Sequence, residues 1–349
     1  GRSASIYGDN AAGKTTVYDA LTWLLFGKDS RGNGSFEIKP LDAAGEVADH
    51  GAVTEVSATL WADGEPVTLR KTYYEKWSVK RGNADATYDG NTSEYYVDDV
   101  PVKKYAFEAK VDELAGEEWT ALAEQAEERG DADTAVRCFT RGAELEFAPA
   151  QCGLAWCYEA GYGVEQSWEE AARRYAIAAD QGYAPAQCSY GWCLEQGRGV
   201  RADPEKAFYW YSCSAEQQYP RGLCELGLCY EMGRGVDQDW EKAAILYRAA
   251  AERDSTQGQC NLAWCYEHGD GVEQDRAQAL RWYGEAARRG DPRGQSMVGL
   301  YYETGLETEQ SWENAVRWYQ AAARQDYAPA LCNLAWCLCR GKGIPQDQA

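Results

Sequence analysis

From about residue 117 onward, apolar residues fall at helical spacing in short segments, and the segments recur every 36 residues. One aligned column reads Cys157, Cys193, Cys229, Cys265, Tyr301, Cys337, and a second reads Gly161, Gly197, Gly233, Gly269, Gly305, Gly341. A third is aromatic throughout: Phe139, Tyr175, Tyr211, Tyr247, Tyr283, Tyr319. A fourth, Asp131, Ser167, Asp203, Asp239, Asp275, Ser311, Asp347, holds only residues whose side-chain oxygen caps a helix N-terminus. Within one unit the pattern predicts a first helix over 148–159, a turn at Gly161-Tyr162-Gly163-Val164, and a second helix from the Ser167 cap to about Gln181. Ser167 with Glu170 has the spacing of a capping box, and Asp203-Pro204 puts proline at the first helical position. Ala171, Tyr175 and Ala179, at i, i+4 and i+8, lay one face of the second helix on the first. Alanine lets the backbones approach while the ring fills the gap between hairpins, so no hairpin buries its face without a neighbour.

The first third of the chain has a different rhythm. Residues 53–61 alternate, Asp63-Gly64 is a hairpin signal, and 67–74 alternate again; Tyr95-Tyr96-Val97, Asp98-Asp99 and Val100-Pro101-Val102 read as a further hairpin that ends a β meander. Ahead of it, Gly8-Asp9-Asn10-Ala11-Ala12-Gly13-Lys14-Thr15 fits G-x-x-x-x-G-K-[ST] at every fixed position. In such a loop backbone N–H groups cradle phosphates, Lys14 reaches the β/γ oxygens and the Thr15 hydroxyl holds Mg²⁺, with Thr16 next along. Residues 3–7 suit an incoming strand, and 16–26 carry Val17, Ala20, Leu21, Leu24 and Leu25 at helical spacing before Gly27.

The repeat, written as Ala184-Pro185-Ala186-Gln187-Cys188-Ser189-Tyr190-Gly191-Trp192-Cys193 followed by Gly197-x-Gly199-Val200, resembles the Sel-one-like repeat family, a relative of the tetratricopeptide repeat. The expected fold is therefore mainly α: a right-handed α/α solenoid over 117–349, preceded by a small α+β partial P-loop lobe over 1–113. The solenoid divides into a short tetratricopeptide-like hairpin at 117–147, five full repeats over 148–327 and a half repeat at 328–349. Gly305-Leu306-Glu307 departs from Gly-x-Gly and weakens the turn expected there. The resemblance implies adaptor or scaffold work, with partner proteins held on the concave face. The half repeat lacks its second helix, so a fragment, or pairing of that end with another chain, is expected.

The phosphate loop, the following Trp23-Leu24-Leu25-Phe26-Gly27-Lys28 and the antiparallel strands resemble the N-terminal lobe of the chromosome-maintenance (SMC), RecF and SbcC-type ATPases. That resemblance implies ATP and Mg²⁺ as cofactors, bound by Gly8, Asp9, Asn10, Ala11, Ala12, Gly13, Lys14, Thr15 and Thr16. Relatives of this kind complete their site with a second lobe bearing a signature motif and an acid pair. The repeat region has no apolar run followed by Asp-Glu to orient a water, so binding without turnover is expected and no catalytic residue is assigned. The alternative is a DNA-repair or genome-maintenance ATPase whose remaining lobe comes from elsewhere.

Charge narrows the partners. Residues 1–115 carry 13 basic against 19 acidic side chains, and 116–349 carry 22 against 37. Such a surface repels phosphate backbones, so the repeats are not expected to grip nucleic acid. Eleven of the 13 cysteines fall in first helices, mostly spaced Cys-x₄-Cys. Five residues turn a helix by about 140°, which parts the two thiols and defeats both a shared zinc site and a helix-internal disulfide. Buried packing is the expected role, with neither zinc nor haem. The Trp and Tyr residues recur at packing positions, His50 and His268 stand alone, and the Glu at 159, 195, 231, 267 and 303 are expected to form a solvated face. No apolar run is long enough to span a bilayer, and the expected location is cytoplasmic.

Overall fold

The computed structural model describes residues 53–62, 65–78 and 87–343. It divides into two compact units, Gly1–Ala150 and Gln151–Ala349. Among the described residues there are four strands and thirteen helices.

In the first unit, β1 (Val53–Ala62), β2 (Glu65–Ser78), β3 (Thr87–Val97) and β4 (Val100–Val102) form one antiparallel sheet in sequence order. Strand β3 begins earlier than the Tyr95 hairpin pattern suggested, because the long β2 pairs with it from Ser78 to Leu69, shifting register once between Lys76 and Trp77. Asp98 and Asp99 both take positive φ, 50° and 62°, as a two-residue hairpin turn requires. A single helix, α1 (Lys104–Glu128), follows and runs without a break through residues 113–117. Its first half lays Phe107, Val111 and Leu114 on Leu69 of the sheet. Each such buried side chain contributes roughly 1.5–3 kcal/mol. Its second half packs on α2 (Ala132–Glu144), and Gly116 lets the Phe147 ring close to where a Cβ would stand 2.5 Å from it. One helix thus serves both the sheet and the first hairpin.

From α3 (Ala148–Ala160) onward, hairpins repeat. First helices are α3, α5 (Ala184–Gln196), α7 (Pro220–Met232), α9 (Thr256–His268), α11 (Pro292–Thr304) and α13 (Ala328–Cys339). Second helices are α4 (Trp168–Asp180), α6 (Pro204–Glu216), α8 (Trp240–Ala251), α10 (Arg276–Arg288) and α12 (Trp312–Ala323). This is a helical solenoid, and from α5 on each first helix also touches the first helix of the next hairpin.

The capping column acts as expected, with one correction. Asp131, Ser167, Asp203, Asp239, Asp275 and Ser311 each accept a hydrogen bond from the backbone N–H three residues on, while Asp347 lies outside the described residues. The capping box at Ser167 is only half made. The Ser167 N–H donates to the Tyr158 carbonyl, and the Glu170 carboxylate pairs with Arg173 at 2.6 Å. Every later cap N–H reaches back to the preceding first helix in the same way, so that group has no need of a side-chain acceptor.

Gly197, Gly233, Gly269 and Gly305 end their first helices in the left-handed conformation. At 305–307 the turn survives without its second glycine, because Glu307 itself takes φ 52°. An L-residue there is strained by about 1–2 kcal/mol. Glu307→Gly is therefore expected to stabilise the protein by roughly 0.5–1 kcal/mol, after allowing for the freer unfolded chain. An unchanged or lower urea midpoint would count against that strain.

Candidate functional site

The solenoid is joined by a seam in which ring and carboxylate alternate. Tyr175, Tyr211, Tyr247, Tyr283 and Tyr319 are 0–2% exposed. Each hydroxyl donates to the Glu 16 residues earlier, Glu159, Glu195, Glu231, Glu267 and Glu303, at 2.7, 3.1, 2.5, 3.1 and 2.6 Å. These glutamates are half-buried acceptors and not the solvated face expected from their exposed-looking helix ends. The physical reason is that a phenol enclosed by alanines needs an acceptor, and a carboxylate supplies one worth roughly 1.5–3 kcal/mol. Burial first, then the neighbouring carboxylate, pushes the phenols well above their ordinary range. Glu267 also accepts from Tyr301 of the next repeat at 3.2 Å, and Glu195 pairs with Arg234 of the next at 2.5 Å, so the same carboxylates tie adjacent repeats.

The turns between first and second helices form an edge rich in indole. Trp168 meets Trp192 of the following repeat in a tilted contact at 5.7 Å, and Trp312 stacks against Trp336 at 5.6 Å. Arg198 lies over Trp168 and Lys342 over Trp312, each 5.2 Å from the ring centroid. Gln166, Gln238, Gln274 and Gln310 close the turns by donating to the carbonyls of Glu159, Glu231, Glu267 and Glu303. Trp156, Trp264 and Trp336 remain about 40% exposed, so this aromatic row is only partly core.

Comparison with known proteins agrees with this geometry. The Sel1 repeat family profile matches six successive segments, 148–183, 184–219, 220–255, 256–291, 292–327 and 328–349. The chain belongs to the Sel1 repeat family. A Sel1 repeat protein from Oxalobacter formigenes is similar at 25% identity with a TM-score of 0.59, over 65% of this chain and 91% of that one. So is c5321, a protective antigen of uropathogenic Escherichia coli strains with an SLR fold, at 29% identity and a TM-score of 0.55 over 67% of this chain. The alignment spans about half of that antigen, 49% of its length. No curated protein matches the sequence. The AAA domain profile matches residues 3–106, in keeping with the ATPase-lobe resemblance. Gly8, Asp9, Asn10, Ala11, Ala12, Gly13, Lys14, Thr15 and Thr16, with the strand and helix expected around them, the Asp63-Gly64 turn and His50, lie outside the described residues.

In this Sel1 array the described cysteines are all free thiols, and most are buried. Burial pushes Cys152, Cys188, Cys193, Cys229 and Cys265 up to about 12, which keeps them protonated and unreactive at neutral pH. Cys332 and Cys339 on α13 are exposed. His268 stacks on Trp264 at 3.8 Å, with Nδ1 3.0 Å from that residue's carbonyl oxygen. No described helix is long and apolar enough to cross a membrane.

First helices also carry polar side chains that the seam does not use. Arg221 and Gln257 are exposed, and Arg293 donates to Asn261 at 2.8 Å. These three side chains occupy the same repeat position, 36 residues apart. Glu225, one turn beyond Arg221, is half-buried; burial raises its carboxyl above the ordinary range while Arg221 opposes the shift. Repeat scaffolds of this kind serve protein interaction.

Proposed function

We propose that the protein is a non-enzymatic interaction scaffold that holds partner proteins on the concave side of its repeats, the side lined by first helices. The observation that carries the reading is the row Arg221, Gln257 and Arg293 with Glu225 and Asn261. These polar groups sit on helices that approach one another across repeats, which supports reading them as the inside of the curve. The partner surface that fits is polar, and protein in preference to nucleic acid, given the acidic balance of residues 116–349.

The test is crosslinking capture with the full chain and with the double variant Arg221→Ala, Arg293→Ala. Wild type is expected to retain a defined partner set that the variant loses by roughly tenfold, as suits two central charged contacts. An identical set from both chains would contradict the concave assignment.

A second reading concerns the N-terminal segment and is favoured by the AAA match over 3–106. In it, Gly8 to Thr16 bind MgATP, Thr15 supplies the metal-side hydroxyl, and the chain does not turn nucleotide over by itself. Its extension is a DNA-repair or genome-maintenance ATPase of the SMC, RecF and SbcC kind whose second lobe is supplied in trans. MgATP retained in equilibrium dialysis and lost on Lys14→Ala would support binding; no retention by the unaltered chain would remove this reading.

A further inference from the structure

The turn edge contains an internal comparison. Second helices begin with tryptophan in alternate repeats, at Trp168, Trp240 and Trp312. At the first and third of these, the residue between the two glycines of the next turn is a cation, Arg198 or Lys342, and it lies over the indole at 5.2 Å. At the middle one, that residue is Asp270. The backbone is the same in all three: Gly199, Gly271 and Gly343 have φ of 69°, 70° and 70°, and a Cβ on each would overlap the carbonyl oxygen of Trp168, Trp240 and Trp312 respectively. An aspartate therefore stands where the protein elsewhere places its own cation.

Among the described residues no cation lies over Trp240. Lys242, two residues on, is engaged with Tyr230 at 5.1 Å and with Asp239 at 3.1 Å. Trp264, at the repeat position of Trp192 and Trp336, is 40% exposed and carries His268 on one face. Glu241 and Glu273, also at this turn, are exposed. A half-buried indole and three carboxylates thus share one turn region, the chemistry that recognises a positively charged side chain by cation–π attraction and ion pairing together.

We infer that Trp240 and Asp270 form a docking point for a lysine or arginine side chain of a basic partner segment, entering the position that Arg198 and Lys342 fill in the corresponding turns two repeats to either side. This rests on the reading of the chain as a protein-binding scaffold but uses the turn edge, not the concave row, so the two fail separately. Of the three tryptophan turns, the first and third are closed by their own cations, which confines the docking point to the middle one.

The probe is a fluorescein-labelled hexa-arginine peptide, titrated by anisotropy against the full chain at low salt. Asp270→Arg restores the internal cation found in the other two tryptophan turns, so the variant is expected to fold and to weaken binding about fivefold or more. Glu216→Arg, the same charge change at the end of a second helix, is expected to weaken it less than about twofold. Arg198→Asp opens the Trp168 turn and is expected to add a second peptide site. Equal losses from Asp270→Arg and Glu216→Arg would mean general charge attraction and overturn the inference. So would an Arg198→Asp chain that binds no additional peptide.

Discussion

Tyr247→Ala is expected to lower the stability of the repeat array by about 3–5 kcal/mol, the cost of emptying a large aromatic site in a close-packed interior. Tyr247 is fully buried among Ala243, Ala244, Ala251, Leu262 and Cys265, which come from its own second helix and the next first helix. Removing the ring leaves a cavity in the contact between repeats, and it strips the half-buried Glu231 of its 2.5 Å donor. Tyr247→Phe separates the two effects. It keeps the ring and is expected to cost about 1–2 kcal/mol for the lost charge-assisted hydrogen bond. Chemical denaturation monitored by circular dichroism gives both values. A Phe variant as damaged as the Ala variant would mean that the carboxylate contact, and not packing, dominates the seam.

Gly199→Ala is expected to cost roughly 2–4 kcal/mol, from two sources that a second glycine separates. Gly199 has φ 69°, where an L-residue is strained by about 1 kcal/mol. Its Cβ would also overlap the backbone carbonyl of Trp168, and backbone cannot rotate away as a side chain can. The turn of one repeat must then lift off the second helix of the repeat before it. Gly182 has φ 88° but open space around it, so Gly182→Ala should show the conformational cost alone, about 1 kcal/mol. Equal midpoints for the two variants in urea would show that the repeats are not held at that distance by the turn.

Much of the solenoid could be read from the sequence because its determinants are local. Caps such as Asp203 and Asp239, and left-handed glycines such as Gly233, mark helix ends whatever the helices pack against. The 36-residue interval then made the unit plain. Pairings between side chains distant in sequence were harder to see. Glu231 looks like any exposed acid at a helix end until the ring of Tyr247 is brought beneath it, although the constant interval of 16 between the two columns was there to be noticed. The glutamines at 166, 238, 274 and 310 carried a similar unread signal. Helix α1 was hidden differently. Phe107, Val111 and Leu114 have helical spacing, but they face a sheet, outside the 36-residue register that organises everything after them. Glu307 shows the converse, a broken motif whose turn is kept because the neighbouring hairpins impose it. The phosphate loop was legible as a motif, and its surroundings lie outside the described residues.

The central claim is that each repeat is held by its neighbours through the tyrosine seam. Native-state hydrogen exchange read by mass spectrometry on the full chain, wild type against Tyr247→Ala, tests it most directly. Protection is expected to fall most in residues 220–291 and to recover progressively toward both ends, as nearest-neighbour coupling requires. Loss confined to α8, or loss spread evenly over all the repeats, would contradict it.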